Sequence, residues 1–133
     1  TEAEWEKAAR GTDGRTYPWG NEIPTKFYAT SGKEIWGSHT APSPVGTLEE
    51  GKSPYGIYDM AGNVWEWVSD WYDQDYYKTG PLQNPPGPRR GENKVVRGGS
   101  WGSGTDDLRA ANREVHVPSF RGFGTGFRCA KNP

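Results

Sequence analysis

Asp59 and Glu66 are two hard carboxylates on either side of a glycine-containing bend, Ala61-Gly62-Asn63. Oxygen donors of that kind suit calcium, which takes roughly six to eight oxygen ligands, some of them main-chain carbonyls. A competing reading pairs Glu66 with an arginine such as Arg97, because a carboxylate buried beside tryptophans needs a hydrogen-bonding partner. The spacing alone leaves both open. Softer chemistry has less to work with. The single cysteine, Cys129, rules out an internal disulfide framework and any multi-cysteine zinc site. A free cysteine usually behaves as a small buried hydrophobe, so Cys129 is read as core rather than as a nucleophile. His39 and His116 lack the helical i, i+4 relation of paired metal ligands and are expected on surface loops. Nothing in the spacing of Ser100 and His116 marks a nucleophile with its base.

The elements that must position these residues are short. Thr1 and Glu4 form a capping-box pattern, Trp5, Ala8 and Ala9 share a helical face, and Gly11 follows Lys7 and Arg10, so residues 2–10 are a predicted amphipathic helix. From Thr12 to Pro54, Asp13-Gly14, Pro18-Trp19-Gly20 and Pro42-Ser43-Pro44 break any sustained period, which indicates ordered loop pinned by Trp19, Phe27, Tyr28 and Trp36. Alternation of Trp65, Trp67, Ser69 and Trp71 with Val64, Glu66 and Val68 predicts a strand over 64–68. Lys94 to Arg97 is a second strand closed by Gly98-Gly99, and residues 126–130 read as a third. Residues 73–93 read as Pro-rich loop.

Composition sets the limits. The chain's 133 residues suit one domain or a large piece of one. Only 32% are hydrophobic, yet seven Trp, seven Tyr and four Phe supply large buried areas, so an aromatic core is expected. Nineteen Gly and eleven Pro imply frequent turns. No stretch is long and apolar enough for a membrane-spanning helix. A net charge of −1 without a basic cluster argues against a nucleic-acid partner.

Five segments, taken in order, then resemble one family. TEAEWEKAARG at 1–11, YPWGN at 17–21, PYGIYDMAGNVWEWVSDWY at 54–72, VVRGGSW at 95–101 and GFRCA at 126–130 look like the formylglycine-generating-enzyme, or sulfatase-modifying-factor, family across nearly the whole chain. The resemblance implies an α+β, irregular, loop-rich C-type-lectin-like fold with short antiparallel strands and few helices. It implies that residues 1–133 are the C-terminal portion of a single such domain, partnered by an upstream portion that supplies a strand near the C-terminus. It implies calcium held by Asp59, Gly62, Val64 and Glu66, the middle two through main-chain oxygen, which favours the ion over the arginine pair. A second calcium site of the family is not expected, because the corresponding loop reads Ala29-Thr30-Ser31. The family's aerobic oxidases bind copper(I) through two cysteines shortly after the GGS-aromatic motif, thiolates suiting that soft ion. Here residues 102–108 contain no Cys, His or Met. Copper is therefore not expected, and an enzyme reading is disfavoured.

The expectation for function is a non-catalytic, calcium-stabilised ligand-binding module that presents residues 102–125 to a protein or glycan. Its candidate contacts are Ser103, Thr105, Asp106, Asp107, Val115, His116, Val117, Phe120 and Phe123, small polar residues among aromatics. Trp65, Trp67 and Trp101 are expected as scaffold, with Arg97, Arg109, Arg113 and Arg128 tying loops together through carboxylates and carbonyls. The layout also resembles the variable region of prokaryotic diversity-generating-retroelement proteins. Those randomise adenine-containing codons such as AAC, which cannot then encode Glu, Lys, Gln, Met or Trp. None of these residues occurs in 102–107 or 115–125. An ordinary, undiversified binding loop fits equally well. Two alternatives stay open: an oxidoreductase of the family using ligands outside this segment, and a structural domain of a larger assembly. A binding module slightly favours an extracellular or cell-surface location.

Overall fold

The computed structural model describes residues 1–32 and 41–131; Trp36 and His39 lie outside the described residues. Helix α1 runs over Glu2–Arg10, as its capping box requires. The Thr1 hydroxyl accepts from the Glu4 amide while the Glu4 carboxylate turns back to the N-cap. Its buried face carries Glu2, Trp5 and Ala9.

Four strands form one mixed sheet in the order β3-β2-β1-β4. Strand β1 spans Trp65–Trp71, β2 Lys94–Arg97, β3 Glu114–His116 and β4 Thr125–Gly126. Strands β1 and β2 pair antiparallel with Glu66 opposite Arg97 and Trp67 opposite Val96, and the register slips before Trp71 meets Lys94. Strand β3 adds antiparallel to β2, but β4 adds parallel to β1. A short helix α2, Tyr76–Thr79, interrupts the stretch read as loop. Strand β1 runs longer than its expected 64–68, and β4 stops at Gly126 instead of continuing to Ala130.

The core differs from expectation in kind. Among the described tryptophans only Trp5 is buried, and it packs with Ala9, Met60 and Ala110; a second cluster holds Ala29, Ala61 and Leu108. The aromatic residues counted on to fill the core are mostly half-exposed plates, such as the stack Tyr17–Trp19–Tyr28 with centroids 5.0 and 5.1 Å apart. The reason lies in the parity of β1. Its buried positions are Glu66 and Asp70, so Trp65, Trp67 and Trp71 stand on the opposite, half-covered face.

Charges inside a fold must be paired, and here they are paired across the chain. Arg97, fully buried on β2, donates to Glu6 at 2.6 Å, to the Ala110 carbonyl at 2.9 Å and to the Asn112 carbonyl, and its Nε lies 3.6 Å from Glu2. Burial pushes its pKa down, opposed by the charges of Glu2 and Glu6. Arg113 grips Glu2 with two bonds of 2.7 and 2.9 Å and lies against the rings of Tyr72 and Tyr77. The Glu2 amide donates to buried Asp70 at 2.7 Å. Helix α1 is thus tied to the sheet chiefly by ions. Gly62 closes the remaining gap: its φ is +77°, and a Cβ there would collide with the Thr30 carbonyl oxygen.

Replacing Arg97 with Ala should cost about 3–5 kcal/mol of unfolding free energy, because Glu2 and Glu6 lose a buried partner. Urea denaturation measures this, and a loss under about 1 kcal/mol would show that the network carries little of the fold.

Candidate functional site

Two surfaces follow from this sheet. Its inner face holds Glu66, whose carboxylate does not meet the Arg97 side chain despite their pairing in the ladder. Trp5 Nε1 donates to it at 2.7 Å, and Arg128 grips both oxygens through Nε at 2.7 Å and Nη2 at 2.5 Å. Arg128 also donates to the carbonyl oxygens of Tyr58 at 3.1 Å and Asp59 at 3.0 Å. One guanidinium therefore gathers a carboxylate and two carbonyls, the class of oxygen a calcium ion would seek. Asp59, at φ +55°, instead turns its carboxylate to the Gly46 amide at 2.7 Å. Among the described residues no three His, Cys, Asp or Glu side chains cluster as metal ligands. In this arrangement Arg128 and Trp5 take the Glu66 carboxylate and the Gly46 amide takes that of Asp59, so a cation at Asp59, Gly62, Val64 and Glu66 would have to displace Arg128. The arginine partner of Glu66 is Arg128, and the expected candidate, Arg97, serves Glu2 and Glu6.

The outer face carries the half-buried tryptophans. His116, paired with Lys94 in the β2–β3 ladder, meets Trp67 edge-on at 6.2 Å, and Phe120 stacks on His116 at 4.0 Å. Lys94 Nζ sits 4.0 Å above the Trp71 ring. Beyond this stack Val117 is exposed and Phe123 is 99% exposed. Val115 alternates to the inner side of the sheet. The turn is closed by the Phe120 amide on the Val117 carbonyl, and Gly124 lies against Ser100 and Trp101.

The 102–108 loop is anchored from within. Ser103 is buried, its hydroxyl accepting from the Ser100 amide at 3.0 Å and its carbonyl accepting from the Ser31 hydroxyl. It shapes the loop and is not displayed. Leu108 is buried against Gly99, Thr105 and Asp107 are half-buried, and Asp106 is exposed beside Arg109. The Tyr17 pKa is raised, by burial first and by the charge of Asp106 second. Asp106 therefore neighbours Tyr17 and Arg109, while His116 and Phe120 belong to the tryptophan face. Cys129 is exposed, contrary to its reading as core. Because β4 ends at Gly126, the residues after it leave the sheet, and Phe127 too is 73% exposed.

A small irregular α+β unit, with its sheet joined to an N-terminal helix through GNVWEW and VVRGGSW, defines a class that the comparisons resolve. The model of the sulfatase-modifying factor enzyme 1-like domain matches residues 1–133, and the chain belongs to that family. It is 43% identical, over 99% of its length, to a fifth (20%) of a protein named serine/threonine-protein kinase pkn1 from Chlamydia pneumoniae. It is 38% identical over 100% of its length to 48% of the formylglycine-generating enzyme of Thermomonospora curvata. Of solved structures, Treponema denticola variable protein 1 superposes with a TM-score of 0.79 at 34% identity, covering 96% of this chain and 44% of that one. The chain spans half or less of each relative. These likenesses bear out the formylglycine-generating-enzyme-like, C-type-lectin-like fold.

The sequence placed Arg128 among the arginines that tie loops to carboxylates and carbonyls but did not name Glu66 as its partner, and it missed the Trp67–His116–Phe120 stack. The pair joins residues 62 apart along the chain, and the stack needed strand β3, which is only three residues long. Arg128→Ala should destabilise the protein by about 2 kcal/mol, and a double-mutant cycle with Glu66→Gln should return a coupling above about 1 kcal/mol. Additive effects would mean that the pair does not hold the C-terminal segment.

Proposed function

We propose that this chain is a non-catalytic ligand-binding module, displaying the outer tryptophan face and the adjoining residues between 102 and 125 to a protein or glycan. The observation that carries the reading is the exposed apolar group Val117, Phe120 and Phe123 beside the His116–Trp67 stack. Large rings held at low entropic cost next to small polar residues are what recognition surfaces use. The likeness to a variable protein supports a display role, and a diversified 102–125 segment is one form of it. Similar segments occur in proteins named for a kinase, for formylglycine generation and for an inactive formylglycine-generating relative, which fits a module that does not itself dictate one chemistry. Among the nine expected contacts, Asp106, Val117, Phe120 and Phe123 are the most exposed and supply the contact, with His116 at the base of the stack.

Screening against a random-peptide display library and a glycan array tests this. Phe123→Ala should weaken any saturable ligand at least tenfold while leaving Tm unchanged, since the ring touches solvent almost entirely. Conversion of a peptide cysteine to formylglycine by this chain would overturn the reading. Calcium enters as a competitor of Arg128 for Glu66, with Asp59 and the main-chain oxygens of Gly62 and Val64 completing its ligands. Added calcium should raise the Tm of Arg128→Gln more than that of the wild type. Equal shifts, or none, would remove calcium from the proposal.

A further inference from the structure

On the flank where helix α1 meets the 109–113 segment there is an open pocket of about 420 Å³ lined by Arg10, Arg15, Arg109 and Arg113, with Thr16, Asn112, Gly14 and Ala111 between them. No carboxylate lines it. The acids that accompany these arginines hold them from outside the lining. Arg10 Nη1 donates to Glu6 at 3.0 Å, Arg15 is clamped on Asp13 and donates to the Pro18 carbonyl, and Arg113 is clamped on Glu2. Asp13 is so well matched to Arg15 that its pKa falls to about 2.

The Arg10, Arg15 and Arg113 guanidiniums are pre-organised, because much of their rotamer freedom is already lost to the acids that hold them. Their donors are not exhausted. Arg109 spends only Nε on a hydrogen bond, to the Asp106 carbonyl at 3.1 Å, and its carboxylate neighbour lies 3.8 Å away. Its side chain is 51% exposed, and no hydrogen bond among the described residues engages either terminal nitrogen. Arg10 likewise uses one terminal nitrogen, and Arg113 leaves Nη1 uncommitted. Arginines lining one concavity offer planar forks that match the paired oxygens of an oxyanion.

We propose that this pocket is an oxyanion-binding site, taking a carboxylate, sulfate or phosphate group of a ligand, with Arg109 as its principal donor and Arg10, Arg15 and Arg113 as its walls. None of the residues proposed above as ligand contacts lines it. Asp106 alone among those contacts touches it, through Arg109, whereas the Val117, Phe120 and Phe123 group can fail without it.

Calorimetric titration of the protein with sodium sulfate, sodium phosphate and sodium citrate, at ionic strength matched with chloride, tests the site and separates the sources of the oxyanion. Saturable binding of at least one of the three is expected. Arg109→Gln should weaken it at least tenfold, and Arg10→Gln/Arg109→Gln further, while Arg89→Gln, away from the lining, leaves it unchanged. Circular dichroism of the variants keeps a folding defect from passing as lost binding. Phe123→Ala should not affect this titration. Absence of saturable binding below about 10 mM for all three anions, an affinity of under about 3 kcal/mol, overturns the proposal. So does binding that Arg109→Gln leaves intact.

Discussion

The indole of Trp5 joins the two ion pairs on which the fold depends. Its Nε1 donates to Glu66, which Arg128 grips from the C-terminal segment, and its ring lies 5.1 Å from the guanidinium carbon of Arg97 on β2. Helix, sheet and C-terminal segment thus converge on one ring. A chain with so little aliphatic residue cannot bury enough apolar surface to fix its loops by packing alone. It uses charge instead, and charge in a low-dielectric interior is unforgiving: a paired guanidinium holds, whereas an unpaired carboxylate there costs several kcal/mol. The consequence is a structure specified by partners at long sequence separation, from Glu2–Arg113 to Glu66–Arg128.

That dependence explains what could be read in the sequence and what could not. Helix α1 was legible because its cap, its apolar face and its stop signal all lie within eleven residues. Strands β1 and β2 were legible from alternation and from the glycines after Arg97. Parity told which residues of β1 share a face, but the assignment of the tryptophans to the core followed from their size. What decided it was Glu66 and Asp70 taking the inner positions, each because a distant donor waits there: Trp5 and Arg128 for one, the Glu2 amide for the other. No local pattern encodes such a donor. The same holds for the arginine partner of Glu66, where ladder neighbourhood pointed to Arg97 and side-chain reach chose Arg128.

Strand β3 escaped notice, and β4 was expected over 126–130 instead of at Thr125–Gly126, for a different reason. Three and two residues are too few for a period, and each exists only because β2 and β1 offer an edge. Their placement is nonetheless what organises the candidate surface. Strand β3 brings His116 over Trp67, and β4 sets Gly124 against Ser100 and Trp101, so that Phe120 and Phe123 stand beside the tryptophan face. The sheet sorts the residues proposed to touch ligand: Val115 and Ser103 turn inward, while Val117, Phe120 and Phe123 turn out.

The separation between anchor and surface has a chemical consequence. Glu2, Trp5, Glu66, Arg97, Arg113 and Arg128 hold the fold, and none of them lies in residues 102–108, where Ser103 and Leu108 are among the anchors. Side chains in that loop that face solvent, such as Asp106, can therefore change without disturbing a buried charge. Substitutions at exposed positions away from buried networks commonly alter stability by only about 0.5 kcal/mol. A scaffold built in this way can exchange the exposed side chains of that loop, since such a change does not bear on what keeps Trp5 between its two ion pairs.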